Sequence, residues 1–314
     1  MFVRLIFPEQ RKFFLIKHFF LKKLPSTTQK ISILSKKKNF SNFLFVYKGC
    51  VGMANISQHK IRQKPHIDLN CDVGESFGAY SIGHDEALMK YASSVNIACG
   101  FHAGDPAVMR RTVELAITNG VAIGAHPGFQ DKEGFGRRNI AVSAQEVYDM
   151  VLYQIAALEG FVRVAGGEMK HVKPHGALYN MLANSAELSA ACAEAVQKFN
   201  KHLVFVALAN SIMAKVAREQ GLRVVEEGFA DRTYQHNGLL TPRTEKNAMI
   251  TSSGEAAHQA VSIVINNHAR TFDDDTVVVR AETICLHGDN PDAVRFARAV
   301  VKGLKSAGID IAPF

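Results

Sequence analysis

Four apolar runs of this 314-residue chain each end in a histidine flanked by glycine. They are Val95-Asn96-Ile97-Ala98-Cys99-Gly100-Phe101-His102-Ala103-Gly104, Val121-Ala122-Ile123-Gly124-Ala125-His126-Pro127-Gly128, His171-Val172-Lys173-Pro174-His175-Gly176 and Thr283-Ile284-Cys285-Leu286-His287-Gly288-Asp289. Short apolar runs bounded by Gly or Pro read as buried strands. A titratable residue just past such a strand lies on a strand-to-helix loop, where parallel α/β folds gather catalytic groups. Four imidazoles at the same relative place point to one shared pocket. Imidazole there can move protons near neutral pH or ligate a metal.

Strand alternation sharpens this. In Ile67-Asp68-Leu69-Asn70-Cys71-Asp72 the period of two puts Asp68, Asn70 and Asp72 on one face. Polar groups on a buried strand need partners or a cavity, so they read as an acidic floor to the pocket; a solvated edge strand would alternate in the same way. The same rule groups His171, Lys173 and His175. An ammonium repels a cation and suits a carboxylate, a phosphate or a developing oxyanion. The plainer alternative is that Lys173 pairs with a carboxylate such as Asp68. His102, His126, His175 and His287 could ligate a metal with Asp68, Asp72 or Asp289. Their spacings lack the tight His-x-x-x-His form, and Lys173 shares the face, so no tightly bound metal is expected. Arg137 follows Gly134-Phe135-Gly136, and Arg232 lies in Gly228-Phe229-Ala230-Asp231-Arg232-Thr233-Tyr234. Such loops suit anions, and equally plain turns. The chain lacks the G-x-x-x-x-G-K-[ST] and G-x-G-x-x-G phosphate motifs and the G-x-S-x-G nucleophile motif.

These residues need elements to hold them. From His66 onward, apolar runs alternate with helical patterns. Asp105-Pro106 opens a helix striped by Val108, Met109, Thr112, Val113, Ala116 and Ile117 and ended by Gly120. Ser143-Ala144-Gln145-Glu146 is a capping box. A third helix is patterned on Leu188, Ala191, Cys192, Ala195 and Phe199. Strands near 203–207 and 222–226 flank a helix near 210–220. A long loop over 228–245, a helical stretch, a strand at 276–286 and a helix at 291–307 follow. About seven strand-plus-helix units in a row mean a parallel sheet with helices outside. A doubly wound sheet fits, but polar groups at nearly every strand end favour a (β/α) barrel over one switch point.

Composition bounds the rest. Hydrophobic residues make up 47%, ample for a core. Five cysteines without a paired spacing argue against a disulfide framework and a structural zinc site, and for reduced thiols in the cytoplasm. Residues 1–52 hold eleven Lys or Arg and one acid, +10 against +8 for the whole chain, so residues 53–314 carry −2. The basic charge therefore belongs to the extension and does not argue for nucleic-acid binding. Lysines interrupt its apolar runs, so none reaches the roughly 18 residues of a membrane span. It reads as a non-domain extension, a disordered tail or an upstream translation with Met53 as the natural start; an organellar presequence is the alternative. Residues 53–314 read as a single catalytic domain.

The chain resembles the LamB/YcsF family, which includes the A subunits of bacterial ATP-dependent 5-oxoprolinases. The resemblance rests on Asp68-Leu69-Asn70-Cys71-Asp72-Val73-Gly74-Glu75-Ser76, Asn96-Ile97-Ala98-Cys99-Gly100-Phe101-His102-Ala103-Gly104-Asp105 and Gly124-Ala125-His126-Pro127-Gly128-Phe129. It continues through Gly134-Phe135-Gly136-Arg137-Arg138, Val172-Lys173-Pro174-His175-Gly176-Ala177-Leu178-Tyr179, Glu227-Gly228-Phe229-Ala230-Asp231-Arg232-Thr233-Tyr234 and Cys285-Leu286-His287-Gly288-Asp289. It runs from about residue 66 to the C-terminus; nothing in residues 1–52 takes part. It implies a seven-stranded (β/α) barrel of the glycoside hydrolase/deacetylase type. It also implies ATP-dependent opening of 5-oxo-L-proline to L-glutamate, with ADP and phosphate formed, alongside partner subunits B and C. ATP would be consumed with Mg2+ at a site shared with, or lying on, the partners.

That chemistry needs a base for water, a cation for phosphate or oxyanion, and an anchor for the substrate carboxylate. Asp68, Lys173 and His175 are the expected reaction core. Asn70, His102, His126, Arg137, Arg232 and His287 are expected to bind substrate or anion. Neither a nucleic acid nor a membrane is expected as a partner, and a homo-oligomer is compatible with the sequence. The competing functions are a metal-dependent carbohydrate or amide deacetylase and a non-catalytic scaffold for the partner subunits.

Overall fold

The structure is a computed structural model. It describes residues 64–286, 288 and 292–314, together with three short strands ahead of them. The chain separates into two compact units, Met1–Arg62 and Gln63–Phe314. In the first, β1 (Ile33–Leu34), β2 (Asn42–Tyr47) and β3 (Cys50–Asn55) form an antiparallel sheet in that order. Within that sheet Asn42 pairs with Asn55.

Seven parallel strands close the second unit into a barrel. They are β4 (His66–Val73), β5 (Ser94–Ala98), β6 (Ala122–His126), β7 (Met169–Val172), β8 (Val204–Leu208), β9 (Arg223–Phe229) and β12 (Thr283–Leu286). Neighbours follow chain order, and β12 returns to β4 with Thr283 opposite Asp68 and Leu286 opposite Cys71. The connecting helices are α1 (Asp85–Met89), α2 (Pro106–Asn119), α3 (Ala144–Val164), α4 (Gly176–Asn184), α5 (Ala186–Asn200), α6 (Ile212–Glu219), α7 (Ser253–Asn266) and α8 (Ala293–Ser306). The strand expected over 276–286 is two elements. Thr276–Val278 (β11) pairs with His268–Arg270 (β10) in a separate hairpin. The Val279 amide then bonds to Asn267 and the Glu282 amide to Glu226, which turns the chain into β12. A last short strand, β13 (Asp310–Ile311), lies along the start of β4.

The helix signals act as the sequence suggests. The Asp105 carboxylate accepts from the Val108 amide at 2.9 Å, Pro106 opens α2, and Gly120 ends it in the left-handed region. Ser143 and Glu146 close their capping box on α3. No helix among the described residues is long and apolar enough to cross a membrane.

Alternation along β4 divides the molecule. Ile67, Leu69, Cys71 and Val73 pack into the apolar shell shared with the helices. Each aliphatic side chain fully buried there contributes about 1.5–3 kcal/mol. The stability of the fold therefore resides largely between strands and helices, which leaves the barrel interior free to be polar.

Candidate active site

The interior is a stack of polar layers. At its base, the Asp68 carboxylate accepts hydrogen bonds from Ser93 (2.6 Å), Ser94 (2.8 Å) and Thr283. Above it, the Asn70 amide donates to Thr283 Oγ1 at 2.7 Å and to Glu227 Oε1 at 2.9 Å. Asn96 donates to Asn70 and to Asp72, both at 2.8 Å, and its oxygen accepts from His171 Nε2 at 2.8 Å. The third layer centres on Lys173. Its Nζ lies 2.9 Å from Glu227 Oε1, 3.0 Å from Asp72 Oδ1, and 3.1 Å from both Asn70 Oδ1 and Cys285 Sγ. Burial alone would push this ammonium down, but the carboxyl groups of Asp72 and Glu227 hold it well above its ordinary value. Tyr179 donates to the other Glu227 oxygen at 2.7 Å.

The histidines sit at the mouth, above Lys173. A carbonyl oxygen can only accept, so two contacts each place one ring proton. His126 Nδ1 donates to Lys173 O at 2.7 Å, and His175 Nε2 donates to Phe135 O at 2.8 Å. Their remaining nitrogens, His126 Nε2 and His175 Nδ1, face each other at 3.0 Å. The His102 ring stacks on His175 with centroids 3.7 Å apart. Glu75, on the loop after β4, brings Oε1 to 3.5 Å from His102 Nε2 and 3.9 Å from His175 Nδ1. Asp72 Oδ2 lies 3.4 Å from His126 Nε2. Glycine makes this packing feasible: a Cβ on Gly136, whose φ is +62°, would stand 2.6 Å from His102 Cβ. One ligand atom each from Glu75, His102, His126 and His175 all lie within 4.8 Å of one another, a set able to hold a metal ion. These groups are all buried, Asp72 being the most exposed of them at 8%.

Of the residues singled out from sequence, Lys173, Asn70, His102, His126 and His175 are brought together. Asp68 sits two layers lower and meets Lys173 only through Thr283 and Asn70. Arg232 is buried, and its guanidinium donates to the carbonyls of Thr241 and Ala248, which ties down the long loop. Arg137 is exposed at the mouth, near enough for its charge to help keep His102 and His175 unprotonated. His287 lies outside the described residues. Sequence reasoning did not assign Glu75, Asn96, Glu227, Tyr179 or Thr283. For Glu227 a signal existed, since strand alternation puts it on the face opposite Glu226 in Val224-Val225-Glu226-Glu227-Gly228-Phe229.

The site carries a pH signature. Burial above all, with neighbouring positive charge, pushes His102 and His175 well below the ordinary 6.5, and His171 to about 3. Neutral when folded, they take up protons only on unfolding. Their share of stability is present above pH 6.5 and is lost as pH falls below it. Asp68 acts oppositely. Burial raises its carboxyl from 3.8 to about 6 against three hydroxyl donors, so the stability it lends is present below pH 3.8 and lost as pH rises through 6. Asp68→Asn removes that second dependence. In urea titrations, wild type is expected to lose roughly 3 kcal/mol relative to Asp68→Asn between about pH 4 and pH 7. A difference that does not vary with pH would show that Asp68 keeps its charge.

Comparison with known proteins places the chain. The LamB/YcsF family model matches residues 67–314. The 5-oxoprolinase A subunit of Bacillus mycoides (strain KBAB4) is 54% identical over 246 residues, covering 78% of this chain and 97% of that protein. The corresponding subunit of Bacillus cereus (strain AH187) is 53% identical over the same length. The crystal structure of a lactam utilization protein from Thermus thermophilus superposes with a TM-score of 0.76 at 45% identity, over 79% of this chain and 100% of that one. With a family model spanning the whole barrel and relatives at this identity, the chain belongs to the LamB/YcsF family.

Proposed function

We propose that this chain is the A subunit of a 5-oxoprolinase, opening 5-oxo-L-proline to L-glutamate at the expense of ATP with subunits B and C. The observation that carries the reading is the buried Lys173 ammonium, held by Asp72 and Glu227 beneath the His102, His126 and His175 cluster. A five-membered lactam resists hydrolysis because its ring re-closes intramolecularly. Phosphorylating the lactam oxygen makes the ring carbon open to water; the adduct then breaks its C–N bond, the nitrogen taking a proton, to leave an acyl phosphate that a second water cleaves to L-glutamate and phosphate. The water needs a base, and His175, which burial holds well below the ordinary histidine value, presents an imidazole at the mouth. The negative charge of the phosphoryl group and of the departing phosphate needs a fixed cation, which Lys173 supplies without reorganisation. Arg137, at the rim, suits the substrate carboxylate. The relatives, which carry the name of the 5-oxoprolinase A component, support the substrate and the partners.

The sequence carries neither phosphate-loop motif, and we place ATP with Mg2+ at a site shared with or on the partner subunits. The test is glutamate release from 5-oxoproline with the three subunits added singly and together, with and without ATP. Release is expected only from the full set with ATP. Release by this chain alone, or full activity of the partners without it, would overturn the reading.

A further inference from the structure

We propose that Arg232 anchors the substrate carboxylate and so restricts the site to lactams that carry a carboxylate beside the ring nitrogen. The inference rests on the lactam reading. Three observations carry it.

The first is a buried charge without a counter-ion. Arg232 is 5% exposed and forms no ion pair among the described residues. Buried charges are ordinarily paired. Its Nε and Nη2 donate to the carbonyls of Ala248 and Thr241, which satisfy hydrogens but bring no negative charge. Nη1 has no partner among the described residues, so the guanidinium keeps donors for a ligand. Burial above all, with the charges of Arg243 and Arg137, pulls Arg232 down to about 10, against the pull of Asp231 and Tyr234. Asp231, its neighbour in the chain, acts on it without forming an ion pair with it. An anion at Nη1 would offset the desolvation.

The second is rigidity. Gln259, on α7, donates through Nε2 to the carbonyls of Phe229 at 2.8 Å and Arg232 at 2.7 Å. The Thr233 amide bonds to Ala248, the Thr241 amide to Thr233, and the Ile250 amide to Asp231. Backbone and side chain of Arg232 are thus both fixed before any ligand arrives, which lowers the cost of binding one.

The third is place. Arg232 stands three residues beyond Phe229, the last residue of β9, at the barrel end that holds the histidines. The Phe229 ring lies 5.8 Å from Lys173 Nζ. The charge of Arg137 reaches Arg232 as it reaches His102 and His175, so the two guanidinia serve one rim. In 5-oxo-L-proline the carboxylate and the reacting carbonyl lie on carbons either side of the ring nitrogen. An anchor at the rim therefore leaves the carbonyl free to turn toward Lys173 and His175.

The test uses the full chain reconstituted with subunits B and C and ATP, and compares 5-oxo-L-proline with its carboxamide. Wild type should favour the acid in kcat/KM by at least about 10²-fold, because a site built around a charged group rejects the analogue that lacks it. Arg232→Met should bring that preference within about tenfold, by lowering kcat/KM for the acid while the carboxamide stays within about threefold. Arg232→Lys, which keeps the charge and disturbs the loop less, should fall between. A residue that only held the loop would depress both substrates together. That result, an unchanged preference in both variants, or equal use of acid and carboxamide by wild type, would overturn the proposal while the lactam reading stands. If wild type with its partners opens no 5-oxoproline, the reading fails and the proposal with it.

Discussion

A Lys173→Met chain is expected to lose at least about 10²-fold of lactam-opening activity in the reconstituted complex, and about 3–5 kcal/mol of stability. The side chains are similar in length, so volume is nearly kept and charge is what changes. Asp72 and Glu227 would be left facing each other with no ammonium between them, in a layer where Lys173 is 3% exposed and Glu227 fully buried. Removing one partner of a buried pair is far more damaging than replacing both. Lys173→Met with Glu227→Gln should therefore recover part of the stability in urea unfolding, while activity stays low. If Lys173→Met unfolds like wild type and works within threefold of it, Lys173 neither holds the interior together nor serves the reaction.

Gly124→Ala is the second large effect. Gly124 is the register partner of His171 on the neighbouring strand, and a Cβ there would stand 2.1 Å from His171 Cδ2 and Nε2. The ring cannot easily retreat, being fully buried and bonded to Asn96. Overpacking a close-packed site commonly costs about 1–3 kcal/mol, and this contact belongs at or above the upper end. His171→Ala opens the space, so the double variant should be more stable than the two single losses sum to, by about 1–3 kcal/mol of coupling. Additive losses, measured by denaturant unfolding, would mean that the ring yields freely.

These residues also show how far sequence could be read. The period of two on β4 placed Asp68, Asn70 and Asp72 on one face, and the interior layers bear that out. It could not say how high each stands, because height depends on the stagger between strands; hence Asp68 lies at the base, away from the histidines. Alternation likewise pointed Lys173 inward but showed no packing around it, since Glu227 and Cys285 arrive from strands far along the chain. Strand-end histidines were legible as a group from their glycine-flanked runs. Glu75 was not, because a carboxylate on a loop has no periodic signal and gains its place only when Gly74 and its neighbours turn the chain over the mouth. Arg232 shows a different limit. Its glycine-flanked setting suggested an anion, and the structure adds that Nε and one Nη donate to loop carbonyls, which no spacing rule foretells.

The polar interior has a consequence for how the chain is made. Asp68 and Asn70 on the first barrel strand meet Thr283, more than 200 residues later. During synthesis the sheet from β4 to β9 exists as an open ribbon for most of the chain's growth. Were its concave face apolar, like that of many barrels, the ribbon would present a long sticky trough to other nascent chains. Carboxylates, amides and hydroxyls let water occupy that trough until β12 arrives, leaving only the two strand edges to protect. The final step of assembly is then a drying event, in which hydration is exchanged all at once for the Asp68–Thr283–Asn70–Lys173 chain of hydrogen bonds. Long-range closure of this kind makes for slow folding, but the unfinished molecule can wait in water without aggregating.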